Sequence, residues 1–124
     1  MVHRFPVLVA TSNLENQKAF GHLLEACGLE PVYVNTARGA MDALLRKRVA
    51  LAICADELPD GTFRDVLGAA RRASSNVPVV VTSRLDDTAE YCEAMSLGAF
   101  DFIASPYSQR EVEWIIERAL PRAS

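Results

Sequence analysis

Hydroxyl side chains, rather than charged ones, follow most of the short apolar runs in this sequence. Four polar segments stand directly after such runs: Thr11-Ser12-Asn13, Ala55-Asp56-Glu57, Thr82-Ser83-Arg84 and Ala104-Ser105-Pro106. Their hydroxyls could together line a neutral pocket for a small polar ligand. The sequence shows no nucleophile–base pair, no glycine-rich phosphate loop and no cluster of metal-ligand residues. We therefore expect neither an enzyme nor a metal centre.

The apolar runs have the length and composition of buried parallel strands. They comprise Val7 to Ala10, Val32 to Val34, Leu51 to Ala55, Val79 to Val81 and Phe100 to Ile103. Between them, apolar residues recur with the spacing of amphipathic helices. Five strands alternating with five helices predict an α/β fold, in which a doubly wound parallel sheet carries helices on both faces. The polar segments then fall at the carboxyl ends of the strands, which form the binding edge of such sheets.

Size and charge narrow the class of protein further. A length of 124 residues, half of them hydrophobic, predicts one domain over 1–124 with a core of about 6–120. With a formal net charge of -3, the chain lacks the broad positively charged surface that nucleic-acid binders use. We therefore expect no nucleic-acid partner. Because no apolar stretch is long enough to span a bilayer, we also expect no membrane partner and a cytoplasmic location.

Residues with strong end preferences mark the predicted helices. Thr36 and Thr88 are positioned to cap the second and fourth helices, and Ser108 to cap the fifth. Gly28 and Gly98 are positioned to end the first and fourth helices in a left-handed conformation.

Three motifs occur in a characteristic order along this pattern. They are Leu58-Pro59-Asp60-Gly61 after the third strand, Pro78-Val79-Val80-Val81 in the fourth, and Gly98-Ala99-Phe100-Asp101-Phe102-Ile103-Ala104-Ser105-Pro106 around the fifth. With these motifs the chain resembles, from Val7 to about Leu120, the response regulator receiver domain family of two-component signalling. The resemblance implies a three-layer (βα)5 fold of flavodoxin-like type, strand order 2-1-3-4-5, and a role in signal transduction.

The family's phosphorylation site is matched here mostly by uncharged residues. Receivers end their first strand in two acidic residues and their third in the phosphoacceptor aspartate, and carry a hydroxyl after the fourth and a lysine after the fifth. The matching positions are Thr11 and Ser12, Ala55, Ser83 and Ser105, respectively. Mg²⁺ requires hard oxygen ligands, and phosphoryl transfer requires a nucleophile and cations. We therefore expect a degenerate pseudo-receiver that has lost Mg²⁺ binding and phosphorylation.

Asp56 lies one residue beyond the acceptor position. In a strand, an offset of one residue directs the side chain to the opposite face of the sheet. The interpretation that we favour is a solvated turn formed by Asp56 and Glu57. Two alternatives remain open. A tighter turn before Leu58 would bring Asp56 into the pocket as a conventional phosphoacceptor of a phosphorelay. Otherwise, the hydroxyl-lined pocket would serve a small-ligand sensor.

Binding to a protein partner is the function that remains without phosphorylation. By resemblance, the binding surface comprises the fourth helix, fifth strand and fifth helix. Phe102 matches the aromatic residue whose rotamer reports phosphorylation in receivers, and Trp114 stands beside the apolar stripe of the last helix. The candidate interface residues are Tyr91, Phe102, Tyr107 and Trp114. The expected partner is a signalling protein or another copy of the chain.

Overall fold

The computed structural model of the chain describes residues 5–46, 48–84 and 87–120. Within these ranges the main sheet contains five parallel strands: β1 (Pro6–Ala10), β2 (Glu30–Val34), β3 (Leu51–Ala55), β4 (Val79–Ser83) and β5 (Asp101–Ala104). They lie in the order β2-β1-β3-β4-β5. The predicted flavodoxin-like fold and strand order are therefore confirmed. The predicted extent of 1–124 reaches beyond the described residues at both ends.

Helices cover both faces of the sheet. In the described part of the chain they are α1 (Leu14–Ala26), α2 (Ala37–Leu45), α3 (Phe63–Arg72), α4 (Thr88–Ser96) and α5 (Gln109–Ala119). The core on one face includes residues of α2, α3 and α4, and the core on the other includes residues of α1 and α5. Since both faces are covered, the central strands are apolar throughout rather than alternating. None of the described helices is long and apolar enough to cross a membrane.

Most of the predicted helix ends agree with the structure. The hydroxyls of Thr36 and Ser108 accept hydrogen bonds from backbone amides in the first turns of α2 and α5. Gly28 and Gly98 adopt φ values of 76° and 101° just after α1 and α4. These conformations suit glycine, which has no Cβ to clash with the backbone.

The start of α4 differs from the prediction by one residue. Asp87 is the N-cap, and its Oδ1 accepts hydrogen bonds from the amides of Ala89 at 3.0 Å and Glu90 at 3.2 Å. Thr88 is therefore the first residue of the helix and not its cap. Aspartate and threonine both cap helices well, so their adjacency made the sequence signal ambiguous.

A short antiparallel ladder follows β3 and leads the chain into α3. Glu57–Leu58 pairs with Gly61–Thr62 in this ladder. At the turn between them, Asp60 accepts hydrogen bonds from the amides of Ala37 at 2.6 Å and Arg38 at 3.1 Å. These bonds hold the pKa of Asp60 below its ordinary value and satisfy two free amides at the start of α2. Asp60 therefore attaches the loop after β3 to α2.

Candidate functional site

A cavity of about 520 Å³ opens at the carboxyl ends of the central strands. Its walls come from the segments after β1, β3 and β4, the first turn of α4 and Tyr107. The structure brings together five residues that the sequence analysis selected, because parallel strands end at one edge of the sheet. These residues are Thr11, Ser12, Ala55, Asp56 and Ser83.

Ser105, at the position of the family's lysine, is not among the residues that line this cavity. The residue is exposed, and its amide donates a hydrogen bond to the carbonyl of Ser83 at 2.8 Å. The peptide bond between Ser105 and Pro106 is cis. Of the four matched strand ends, the one after β5 therefore contributes Tyr107 to the cavity and not its serine.

Asp56 enters the cavity, so the expected solvated turn is wrong for this residue. Its amide donates to the carbonyl of Thr82 at 2.8 Å, and its carbonyl accepts from the amide of Phe63 at 3.0 Å. With its backbone fixed on both sides, its carboxylate accepts a hydrogen bond from the hydroxyl of Ser83 at 3.3 Å. Glu57 is exposed, in line with the expectation. The short ladder begins at Glu57, directly after Asp56, so the chain turns immediately after β3. This turn places the side chain of Asp56 in the cavity.

Glu90 is a site residue that the sequence analysis missed. It lies in the first turn of α4 and lines the cavity together with Asp56 and Ser83. Burial, and then the interaction with the neighbouring carboxyl group of Asp56, raise the pKa of Glu90 from 4.5 to about 7. The available signal was an acidic residue in the first turn of a helix that follows a strand end. That signal alone does not reveal where the side chain points.

The hydroxyl groups at the strand ends bring no charge to the cavity. Thr11 is buried, and its Oγ1 accepts a hydrogen bond from the amide of Asn13 at 3.1 Å. Ser12 is exposed at the cavity rim. Across residues 5–46, 48–84 and 87–120, no group of three or more His, Cys, Asp or Glu side chains could hold a metal ion. Besides these hydroxyls, the cavity is lined by the carboxyl groups of Asp56, Glu57, Asp87 and Glu90 and by the guanidinium group of Arg84.

Tyr107 belongs to the cavity wall, and its place among the interface residues stays a prediction. Its ring lies 5.0 Å from that of Phe20 in α1, measured between centroids. Its hydroxyl donates a hydrogen bond to the carbonyl of Ser83 at 3.3 Å. Burial raises the pKa of Tyr107 above its ordinary value. The ring is thus held between α1 and the end of β4.

The other candidate interface residues, Tyr91, Phe102 and Trp114, lie in α4, β5 and α5, respectively. Tyr91 is 43% exposed, and its ring meets the buried ring of Phe102 edge-on, with centroids 5.8 Å apart. Trp114 is 56% exposed, with the guanidinium carbon of Arg118 4.3 Å from the centroid of its ring. Phe102 is consequently a core residue that supports the surface, while Tyr91 and Trp114 are available on it.

Comparison with known sequences finds relatives that are longer than this chain. No protein-family model matches it. It is 32% identical to the regulatory protein LuxO of Vibrio cholerae serotype O1 over 91 residues, which cover 73% of this chain and 20% of LuxO. It is 27% identical to the swarming motility regulation protein RssB of Serratia marcescens over 106 residues, which cover 86% of this chain and 48% of RssB. The chain therefore spans less than half the length of these relatives.

Comparison with solved structures finds the same architecture. One match is the beryllofluoride-activated NtrC4 receiver domain dimer, with a TM-score of 0.85 and 21% sequence identity. The match covers 93% of this chain and 95% of the other. At this level of identity the likeness shows the fold and no more.

Proposed function

We propose, from the premise that this chain is a response regulator receiver domain of two-component signalling, that it signals without being phosphorylated. The sequence relatives and the shared fold support the family. Receiver domains are generally signalling modules rather than enzymes, and proteins of this kind act through other proteins. This chain differs from the family's pattern in the cavity, where uncharged residues stand at the positions of the charged ones.

The observation that carries the proposal is the chemistry of the cavity. Thr11, Ser12 and Ala55 supply neither the acidic pair nor the acceptor at the matched positions, and Ser105 supplies no lysine. A transferring phosphoryl group needs cations on its oxygens. Instead, Asp56 has a second carboxyl group beside it. A phosphoryl group on Asp56 would add further negative charge there, so we infer that phosphorylation and Mg²⁺ binding are both lost.

A conventional receiver that uses Asp56 is the second candidate function. One observation favours it, because the carboxylate of Asp56 reaches the cavity and meets the hydroxyl of Ser83. In this alternative, Asp56 takes over the role of the acceptor from one position further along the chain. It would still lack the lysine and the two acidic residues that the family uses.

Acetyl phosphate with Mg²⁺, followed by intact-mass measurement, separates the two candidates. We expect no stoichiometric gain of a phosphoryl group, because Thr11, Ser12 and Ser105 stand at the positions of the family's acidic pair and lysine. Asp56→Ala is the matched variant, since it removes the carboxylate that accepts a hydrogen bond from the hydroxyl of Ser83. A stoichiometric mass gain in the original chain that disappears in this variant would establish the conventional receiver and overturn our proposal.

The proposed binding surface is the one formed by α4, β5 and α5. Tyr91, Met95 and Trp114 are large apolar side chains exposed there. Exposed aromatic residues are frequent anchors of protein interfaces. The partner is a signalling protein or a second copy of the chain, and a cytoplasmic location remains a prediction.

Sedimentation equilibrium tests the second-copy form of this proposal. We expect a concentration-dependent dimer whose dissociation constant rises roughly tenfold or more in Trp114→Ser, because a central aromatic anchor is lost. Leu45→Ser is the matched control, since Leu45 in α2 is also 56% exposed but lies outside this surface. Equal weakening by both variants would contradict the assignment of the surface. A chain that stays monomeric would leave a different signalling protein as the proposed partner.

A further inference from the structure

Strand β5 forms one outer edge of the sheet. Within the described ranges its neighbour in the sheet is β4 alone, and Val81 stands opposite Phe102. Just after the strand, the amide of Ser105 donates a hydrogen bond to the carbonyl of Ser83 in β4. Successive residues of a strand direct their backbone N–H and C=O groups to opposite sides. Counting back from Ser105, Phe102 and Ala104 therefore direct their backbone groups away from the sheet.

The outward amide of Phe102 already has a hydrogen-bond partner within the chain. It donates to Asp101 Oδ1 at 2.8 Å. The other carboxylate oxygen, Asp101 Oδ2, lies 3.6 Å from Nη2 of Arg118 in α5. One side chain thus connects the backbone of the edge strand to the last helix.

Arg118 is held in place by two aromatic rings. Its guanidinium carbon lies 4.3 Å from the ring centroid of Trp114 and 5.2 Å from that of Phe100. Cations are attracted to the faces of aromatic rings, so these contacts favour one position of the guanidinium. From that position Arg118 attracts the carboxylate of Asp101 and supports its contact with the edge of the strand.

We propose that Asp101 closes the β5 edge to an added strand, so that a partner binds the surface of α4, β5 and α5 through side chains and not by extending the sheet. A four-residue strand presents only two outward amides, and Asp101 occupies that of Phe102. An added strand needs these amides as donors, and its own carbonyl oxygens would meet the negative charge of Asp101. The mode of partner binding rests on the proposed function, whereas closure of the edge does not.

The opposite outer strand, β2, lacks an outward donor for a different reason. The amide of Glu30 donates to the carbonyl of Phe5, on the side of β1. The next residue, Pro31, therefore faces away from the sheet, and proline has no N–H to offer. Each edge of the sheet is thus short of one donor, through residue type in β2 and through Asp101 in β5.

Amide hydrogen exchange, followed by NMR in dilute solution, tests the closure. We expect exchange at Phe102 to be roughly tenfold faster in Asp101→Ala than in the unaltered chain, because a hydrogen bond is lost. Asp101→Asn is the matched control, since asparagine keeps an oxygen that accepts the hydrogen bond but carries no charge. Its exchange rate at Phe102 should stay near that of the unaltered chain. Equal acceleration in both variants would contradict closure by this hydrogen bond.

A second measurement shows whether strands add at this edge. In concentrated mixtures of differently labelled copies, Asp101→Ala should give NOEs between the β5 backbone protons of two molecules, and the unaltered chain should give none. Such NOEs in the unaltered chain, or their absence in Asp101→Ala, would overturn the proposal. Exchange at Phe102 as fast as in an unstructured peptide would also overturn it, without the need for any variant. The sedimentation experiment on Trp114→Ser decides the proposed surface separately, because it does not report backbone contacts.

Discussion

Replacement of Phe63 by alanine lowers the free energy of unfolding by about 3–5 kcal/mol. Phe63 begins α3, and its side chain is only 1% exposed within the core shared by α2, α3 and α4. The substitution removes a whole aromatic ring from packed surroundings, which close over the space only in part. Urea unfolding of both proteins at pH 7 measures the difference.

The matched variant is Phe63→Leu, which keeps a branched apolar side chain and should cost roughly 1–2 kcal/mol. The amide of Phe63 donates to the carbonyl of Asp56, so the backbone contact persists in both variants. A loss below about 1 kcal/mol in the alanine variant would mean that the ring does not fill this core. Equal losses in the two variants would point to the ring's shape rather than its volume.

Replacement of Glu90 by glutamine stabilises the fold by about 1–2 kcal/mol at pH 8 and has little effect at pH 5. The pKa of Glu90 is about 7 in the folded chain and 4.5 ordinarily, so the folded state retains a proton that the unfolded state has lost. Stability therefore falls as the pH rises from 4.5 to 7, and the full penalty is present at pH 8. At 1.36 kcal/mol per unit the shift would give about 3 kcal/mol, which partial exposure of Glu90 reduces.

Glutamine removes this penalty because its side chain carries no charge at either pH. Urea unfolding at pH 5 and pH 8 measures the effect, with the exposed Glu117→Gln as the control for loss of one negative charge. A Glu90→Gln variant that is less stable at pH 8, or equally shifted at both pH values, would contradict the assigned environment of Glu90.

The fold could be predicted because its strands are buried on both faces. Leu8 and Ala10 face one core and Val7 and Val9 the other, which makes β1 a continuous apolar run. Strand β2 was predicted less completely, as an edge strand with Tyr33 exposed carries a weaker apolar signal. Its polar start, Glu30, was consequently left out of the predicted strand.

The site could be predicted only where it depends on strand ends. Thr11, Ala55 and Ser83 meet because parallel strands finish at one edge, which the topology alone requires. Glu90 and Tyr107 depend on how a helix and a loop pack over that edge. One turn of helix presents several directions, so the sequence does not specify that Glu90 faces inward. The inward path of Asp56 depends on the short ladder after β3, whose pairing gave no clear sequence signal.

The hydrogen bonds from the start of α2 to Asp60 give the cavity walls unequal stiffness. A change in the loop behind Asp56 would also take away the acceptor that two amides of α2 share. The strand side of the cavity is therefore braced by a helix more than twenty residues away in the chain. The helix side is held by a partly exposed ion pair between Glu93 of α4 and Arg64 of α3, and Ala94 is the described residue of α4 that is fully buried. A change inside the cavity would thus displace α4 more readily than the edge of the sheet.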